Sequence, residues 1–315
     1  MQNSSYFIKN RALFGCYPKQ KHVDELIQNG VRYFVNLTSP NESKIKPYSI
    51  SSDCVQICFP IKDHNVPKDW EIFSRFVSKL SNIITTLPTS HKVYVHCRGG
   101  HGRAGMIVAI LLCHIHQIEP IEALKQTSAF HAKRPNIKAK WKAIGSPHEY
   151  RQRAFVYRFF EPLNMYRIQY KDEYDNGFSR FSHHPITVEG KEYSSIEGAL
   201  LEILNASSEH PVTDIDFTRL HGKEAFMLRK NFEPIKLLQT RPISPEWKKK
   251  RIEALTMLFE IKLKQHPKLK TKLMRSGFRP ITMHARGNFT WPCNDGVNVA
   301  GKILMEIRHR MYNTS

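Results

Sequence analysis

The sequence predicts an α/β domain, a central sheet flanked by helices, followed by a mostly helical α+β domain. Three observations carry this. Short runs of β-branched and aromatic residues alternate with helix-length apolar patterns up to about residue 160. Pro162 and the polar, turn-rich stretch Tyr170-Lys171-Asp172-Glu173-Tyr174-Asp175-Asn176-Gly177 then interrupt the pattern. Beyond the interruption, one small hairpin precedes a series of helices. A chain of 315 residues with 41% hydrophobic content is also longer than one ordinary domain needs. The expected domains are therefore 1–163 and 174–315.

In the first domain, strands are expected at 33–37, 55–59 and 93–96, where Val, Ile, Tyr and Phe cluster. Helices are expected at 23–28, 69–86, 105–116 and 121–129, and a closing helix at 149–160 ends before Pro162. In the second, Ile186 and Val188, then Glu189-Gly190, then Lys191 to Tyr193 read as a β-hairpin. Ser194 or Ser195 caps the helix that follows, with Glu197 in its first turn. Apolar residues at 196, 199, 200, 203 and 204 give that helix one buried face. A glycine-rich turn precedes a last helix that opens on Gly296-Val297-Asn298-Val299-Ala300-Gly301-Lys302.

The most informative ten residues are His96-Cys97-Arg98-Gly99-Gly100-His101-Gly102-Arg103-Ala104-Gly105, lying between the third strand and an apolar helix. The spacing Cys-x5-Arg closes the loop on itself. Backbone N–H groups and the Arg103 guanidinium then converge beside the Cys97 sulfur, making an anion site at a helix N-terminus. Such a positive field favours a thiolate, and a guanidinium grips phosphoryl oxygens with paired hydrogen bonds. Arg98, Gly99, Gly100, His101 and Gly102 are the candidate phosphate-binding positions, the glycines letting backbone approach the ligand. A nucleophile inside a phosphate cradle implies phosphoryl transfer through a phosphocysteine.

This segment resembles the signature loop of cysteine-based protein tyrosine and dual-specificity phosphatases. The resemblance implies that His96 orders the loop by hydrogen bonding, and that a general acid lies a few tens of residues upstream. Phe59-Pro60-Ile61-Lys62-Asp63, followed by Pro67, fits: Asp63 is 34 residues before Cys97. Downstream, Gly145-Ser146-Pro147-His148-Glu149-Tyr150-Arg151-Gln152 resembles the late loop whose glutamine orients the attacking water, which points to Gln152. The chain departs from the family at Ala104, where a Ser or Thr hydroxyl usually assists departure of the sulfur.

Composition sets the remaining bounds. Residues 1–160 carry 23 Lys and Arg against 10 Asp and Glu, and the whole chain has a formal charge of +20. That balance favours anionic partners. The run Lys248-Lys249-Lys250-Arg251 reads as the solvated start of a helix rather than a localisation signal. Six cysteines are scattered without a CxxC pair, which fits a reducing compartment. Cys54 and Cys58 are expected on one strand face. His114, His116 and His131 lack ligand spacing, so no metal site and no cofactor are expected. No signal peptide is apparent, and the longest apolar run, 106–115, is too short to span a bilayer. A cytoplasmic location is expected, with nuclear entry left open and no membrane partner.

The second half is similar to the NADAR family, which is related to bacterial enzymes that cleave N-glycosidic bonds in riboflavin intermediates. The matching pieces are Phe178-Ser179-x-Phe181, Tyr193-x-Ser195-x-Glu197, the helix from Glu253 to Lys262 with Met257, Ser276-Gly277, Trp291, and the block from Gly296 to Arg308. The resemblance implies a site built from the Glu197 carboxylate, which would stabilise a sugar cation, with Trp291 to stack on a base and Asn298 nearby. The domain would either act as an N-glycosidase or only bind its ligand, which would be ADP-ribosylated or nucleotide-like. Departures are Gly198 for His, Arg180 for Asn, and Asn288 for Asp. The expected substrate of the first domain is a phosphorylated protein. Two alternatives stay open: an RNA 5′-phosphatase, and a catalytically impaired binder of phosphorylated ligands.

Overall fold

In the computed structural model, residues 2–40, 42, 45–161, 163–167, 177–207, 211–231, 245–284 and 298–313 are described. The chain divides into two units, Met1–Glu161 and Pro162–Thr314.

The first unit is built on strands β1 (Ser4–Ile8), β2 (Ala12–Gly15), β3 (Val31–Asn36), β4 (Val55–Cys58) and β5 (Lys92–His96). They form one mixed sheet in the order β1-β2-β5-β3-β4. The β1–β2 pair is antiparallel and the remaining pairs are parallel. The β1–β2 hairpin was not expected. Its turn is made by Asn10 at a φ of 58°, a left-handed conformation that Asn tolerates.

Helices α1 (Gln20–Gln28), α2 (Trp70–Thr86), α3 (Arg103–His116), α4 (Pro120–Ala132), α5 (Ala139–Ile144) and α6 (Tyr150–Phe160) surround the sheet. Leu13, Phe34 and Tyr94 are neighbours in register and share a face with Val23 and Leu26 of α1. By the period-two rule Val93 and Val95 take the other face. Helix α3 is apolar nearly all round because it is enclosed, touching α2, α4 and α6 as well as the sheet. Asp69 caps α2 by accepting from the Ile72 N–H at 2.9 Å, a contact worth about 1 kcal/mol. Phe73 of α2 packs on Phe155 and Phe159 of α6, with ring centroids 5.5 and 5.0 Å apart. That aromatic seam fixes the helix carrying Gln152. Cys54 and Cys58 do not share a face: Cys54 is buried in the turn before β4, and Cys58 at the end of β4 is exposed.

The second unit contains β6 (Leu163–Arg167), the hairpin strands β7 (Ile186–Val188) and β8 (Lys191–Tyr193), and β9 (Ile281–His284). Its helices include α7 (Ile196–Ala206), α8 (Gly222–Asn231), α9 (Pro245–Gln265), α10 (Pro267–Met274) and α11 (Val299–Asn313). The hairpin turns at Glu189 and Gly190, both at positive φ, as a two-residue loop requires. Strand β6 pairs parallel to β9, a pairing that no local sequence pattern announced. Ser195, not Ser194, caps α7, accepting from the Gly198 N–H at 3.2 Å. The core gathers Phe178, Ile196, Leu200, Phe259, Leu263 and Leu304. Lys249 and Lys250 are exposed, but Arg251 turns inward, so the basic run is not uniformly solvated.

Candidate active site

Strand β5 delivers Cys97 to the head of the signature loop, and Arg103 opens α3 behind it. Cys97 is buried, and the Gly100 N–H donates to its Sγ at 3.3 Å. Gly100 sits at a φ of 74°, and a Cβ there would lie 2.4 Å from the Gly15 carbonyl carbon. Only glycine fits this close approach of loop to β2. Gly102 is equally confined: a Cβ would meet Gln152 Oε1 at 2.7 Å and the His148 ring at 2.9 Å.

The Arg103 side chain is 1% exposed and fully engaged. Its Nη1 donates to the Ile61 carbonyl at 2.8 Å and the Leu37 carbonyl at 3.4 Å. Both of its terminal nitrogens contact the Glu42 carboxylate, and Nη2 lies 2.9 Å from Asp63 Oδ1. Burial opposes the charge on Arg103, but hydrogen bonding to Glu42 and the charges of Cys97, Asp63 and Glu42 outweigh it, so its pKa is raised. Asp63 is thus joined to the cradle, with its side chain 36% exposed. Glu42 was not singled out from the sequence. It lies in a polar loop after β3 with no motif around it, and only the fold brings it to Arg103.

Arg134 is a second residue the sequence did not disclose. It is buried, donates to the Gly100 carbonyl at 3.0 Å, and lays its guanidinium 4.3 Å over the Phe14 ring. Burial lowers its pKa to about 10, leaving it charged behind the loop at neutral pH. Its place, one residue after Lys133 and before Pro135 at the end of α4, gave no signal stronger than a surface charge.

His96 sits beneath Cys97 among three tyrosines, with ring centroids 5.1, 5.5 and 5.6 Å from those of Tyr17, Tyr48 and Tyr94. Its Nε2 is 2.7 Å from the Tyr48 hydroxyl, and burial lowers its pKa to about 3, so the ring is neutral. His101, expected among the phosphate-binding positions, places its ring elsewhere. It stacks on Trp141 at 4.2 Å, and its Nδ1 meets His131 Nε2 at 2.7 Å. Burial lowers the pKa values of His101 and His131 to about 4 and about 3. Two neutral rings can share one N–H in this way, whereas two cations could not. Arg98 points to solvent, and its carbonyl accepts from the Tyr17 N–H at 3.0 Å. Gln152 is buried beside the loop: its Nε2 donates to the Asn65 carbonyl at 3.1 Å, and its Oε1, without a hydrogen-bond partner, faces Gly102. Ala104 is buried in the first turn of α3.

Comparison with known proteins bears on this geometry. Residues 2–155 match the family model described as "Swiss Army Knife protein, DSP-PTPase phosphatase domain". The chain is also 31% identical over 307 residues to "Putative tyrosine phosphatase 197R" of Invertebrate iridescent virus 6, covering 96% of this chain and 90% of that protein. The chain belongs to the DSP-type tyrosine phosphatase family. A second relative, "Putative tyrosine phosphatase 067L" of Invertebrate iridescent virus 3, is 31% identical over 185 residues, 58% of this chain and 75% of that one. Among solved structures, "Crystal structure of Tk-PTP in the active form" is 20% identical, covers 45% of this chain and 91% of that chain, and gives a TM-score of 0.35. In this phosphatase, no helix among the described residues is long and apolar enough to cross a membrane.

Of the candidate residues of the second unit, Glu197 and Asn298 are described. Glu197 is 0% exposed and lies between Arg180 Nε at 3.3 Å and Arg229 Nε at 3.4 Å. Arg180, one of the departures from the NADAR pattern, is therefore the partner of the expected acid. Gly198, another departure, is confined because a Cβ would meet the Phe217 carbonyl oxygen at 2.4 Å. The Asn298 Nδ2 donates to the Ile281 carbonyl of β9. Other motif residues also serve the scaffold. Lys262 donates to Ser179 O at 3.1 Å and Ser182 Oγ at 2.6 Å, and Arg308 to Ser276 Oγ at 2.5 Å. Trp291 and Asn288 lie outside the described residues.

Proposed function

We propose that the N-terminal unit hydrolyses phosphotyrosine in proteins, and phosphoserine and phosphothreonine beside it, through a phosphocysteine. The observation that carries this reading is the single cluster of Cys97, Arg103 and Asp63, with a loop N–H already on the sulfur and Arg103 Nη2 2.9 Å from Asp63. The Cys97 thiolate attacks phosphorus while the phosphorus–oxygen bond to the leaving group breaks. Arg103 exchanges its Glu42 and Asp63 contacts for the phosphoryl oxygens, which the loop amides also hold, and Asp63, so released, gives a proton to the departing phenolic oxygen. A water then attacks phosphorus, losing a proton to the Asp63 carboxylate, and the thiolate leaves with inorganic phosphate as the product. Gln152, whose Oε1 is unpaired and faces the loop, is the residue placed to orient that water. Neutral His96 supports the loop without titrating.

For the C-terminal unit, the proposed role is binding an ADP-ribose-like or nucleotide-like ligand, not cleaving one. The ligand class rests on the resemblance of this half to the NADAR pattern; against cleavage, Glu197 is enclosed and its charge is matched by Arg180 and Arg229. A carboxylate so paired is poorly placed to meet a sugar cation.

The test of the phosphatase reading uses metal-stripped full-length protein with a phosphotyrosine peptide. Hydrolysis that vanishes in Cys97→Ser and is blocked by vanadate is the expected result. Activity surviving Cys97→Ser, or requiring a divalent ion, would overturn it. Calorimetry of the Cys97→Ser chain against ADP-ribose tests the second unit, and no heat across several ribosylated ligands removes that proposal.

A further inference from the structure

Beside the cradle, two loops distant in sequence bring together two imidazoles and a carboxylate that the phosphoryl-transfer steps above do not use. His64 Nδ1 lies 2.6 Å from Glu149 Oε1, across 85 residues of chain, and His148 Nε2 lies 3.2 Å from the same oxygen. One ligand atom from each of the three residues falls within 4.8 Å of the others. We propose that His64, His148 and Glu149 form a binding site for a zinc-class divalent cation at the rim of the phosphatase cradle.

The donor set decides the class of metal. Two imidazoles and one carboxylate, with the fourth position left to solvent, suit Zn²⁺ or its neighbours in the first transition row; Mg²⁺ and Ca²⁺ prefer all-oxygen shells. Metal–ligand bonds of about 2.0–2.1 Å in a tetrahedron set the donors roughly 3.3 Å apart. The His148–Glu149 separation already matches. The His64–Glu149 separation must widen by about 0.7 Å for that geometry, and the His64 side chain, 60% exposed, is free to do so.

Two further observations favour a cation there. His64 is held at a φ of 61°, a left-handed conformation uncommon for a residue with a β-carbon, and from it the ring is aimed at Glu149. The other ring nitrogen, Nε2, lies 3.7 Å from Asp63 Oδ2. At that distance Asp63 makes no hydrogen bond to the ring, but its carboxylate charge favours a cation nearby. The charges facing the cluster are Asp63 and Glu149 on one side and Arg151 and Arg153 on the other. Arg151 is drawn to Asn65 Oδ1 at 3.1 Å, and Arg153 to the carbonyls of Pro147 and Ile144 at 2.6 and 2.8 Å. Their heads are thus committed elsewhere.

A metal in this site ties the loop carrying Asp63 to the start of α6, which carries Gln152. Those segments already share the Gln152–Asn65 and Arg151–Asn65 hydrogen bonds. Fixed in this position, Asp63 stays on Arg103, 2.9 Å from its Nη2, where a phosphoryl group would have to bind, so the metal acts as an inhibitor; this consequence, unlike the binding itself, rests on the roles proposed for Asp63 and Arg103.

The binding test uses the full Cys97→Ser chain, in which the reactive thiolate cannot compete for metal. Calorimetry with Zn²⁺ should show one site, and Co²⁺ should give the visible bands of a tetrahedral ion without a sulfur charge-transfer band. His148→Ala and Glu149→Gln should each weaken binding by about tenfold or more. Binding unaffected by either variant, or a cobalt spectrum showing sulfur ligation, would overturn the site. In the wild-type chain, Zn²⁺ should inhibit phosphotyrosine hydrolysis with an inhibition constant raised about tenfold or more by Glu149→Gln. Metal binding as described in a chain with no phosphatase activity would leave the site standing and sink the phosphatase reading. Activity with no site-dependent binding would do the reverse.

Discussion

Arg103 in the first unit and Glu197 in the second are both buried charges facing two groups of opposite sign, and the contrast lies in what those groups do. Around Arg103, one partner, Glu42, is 11% exposed, and the other, Asp63, is 36% exposed and opens the cluster to solvent. Around Glu197 both arginines are 13% exposed, and the carboxylate itself has no exposed surface. In the first arrangement a ligand reaching Arg103 must displace carboxylates, one of which is open to solvent; in the second both partners of the charge are largely enclosed. A specific polar motif therefore does not reveal whether it encodes chemistry or scaffold. Signature-loop residues serve a cradle, whereas Ser179, Lys262, Ser276 and Arg308 satisfy one another and nearby carbonyls in the second unit.

Substituting the two centres is the strongest way to break this contrast. Arg103→Ala should reduce phosphotyrosine hydrolysis by at least about 10³-fold, since it removes the principal stabiliser of phosphoryl charge. Glu197→Gln should leave phosphotyrosine hydrolysis at the wild-type rate. Equal catalytic losses in both would mean that Glu197 is more than a charge matched within the second unit. Next in size is Asp63→Asn, expected to slow phosphotyrosine hydrolysis about 10²-fold or more while slowing an activated aryl phosphate far less. Equal slowing of the two substrates would remove Asp63 as the proton donor.

Much of the first centre could be read in the sequence because its residues lie in one short loop and one short upstream motif. Cys97, Arg103 and Asp63 are close in space as expected, and β3, β4, β5 and α2 lie within a few residues of their anticipated spans. Glu42 and Arg134 could not be read, because each is an isolated charge whose partner is fixed only by tertiary structure. The β1–β2 hairpin was also missed, since Ser4 and Ser5 dilute its apolar pattern and its turn rests on Asn10 alone. In the second unit the helices and the β7–β8 hairpin were legible from periodicity. The contacts of Glu197 with Arg180 and Arg229 and of Asn298 with Ile281 were not, because burial and partner identity have no local signature.

Stability separates the units in a different way. Removing the carboxylate charge of Glu197 leaves Arg180 and Arg229 facing each other across a buried space, and losing one partner of such a group costs about 3–5 kcal/mol. Hydrogen exchange on the full chain, resolved by segment, should show the loss in α7 and its neighbours and not in α3. Acid should act in the opposite place. His96, His101 and His131 have folded pKa values of about 3, about 4 and about 3, below the ordinary value of 6.5. Their neutral forms are favoured by folding, so the stability linked to them is complete above about pH 6.5 and is lost as pH falls toward those lower values. Each contributes up to about 1.4 kcal/mol per pH unit within that window. Exchange protection in α3 and α4 should fall between pH 6 and 4. Protection independent of pH there would show that the three rings are not buried neutral.

The smallest difference expected is between two helix caps of the same kind. Asp69 caps α2 from an exposed position with one acceptor contact, to Ile72 N–H at 2.9 Å. Ser195 caps α7 from a fully buried one, accepting from Gly198 N–H at 3.2 Å while its hydroxyl donates to the Leu220 carbonyl at 2.6 Å. When Asp69 is changed to Ala, water can reach the freed N–H, so the cost is that of a lost cap, about 1 kcal/mol. When Ser195 is changed to Ala, one buried N–H and one partly buried carbonyl lose their partner, and the cost rises to about 2–3 kcal/mol. Denaturant unfolding of the two variants, followed separately in each unit, measures both numbers. A Ser195→Ala loss no larger than that of Asp69→Ala would mean that water enters the start of α7, and that the enclosure around Glu197, in the same first turn, is looser than its contacts imply.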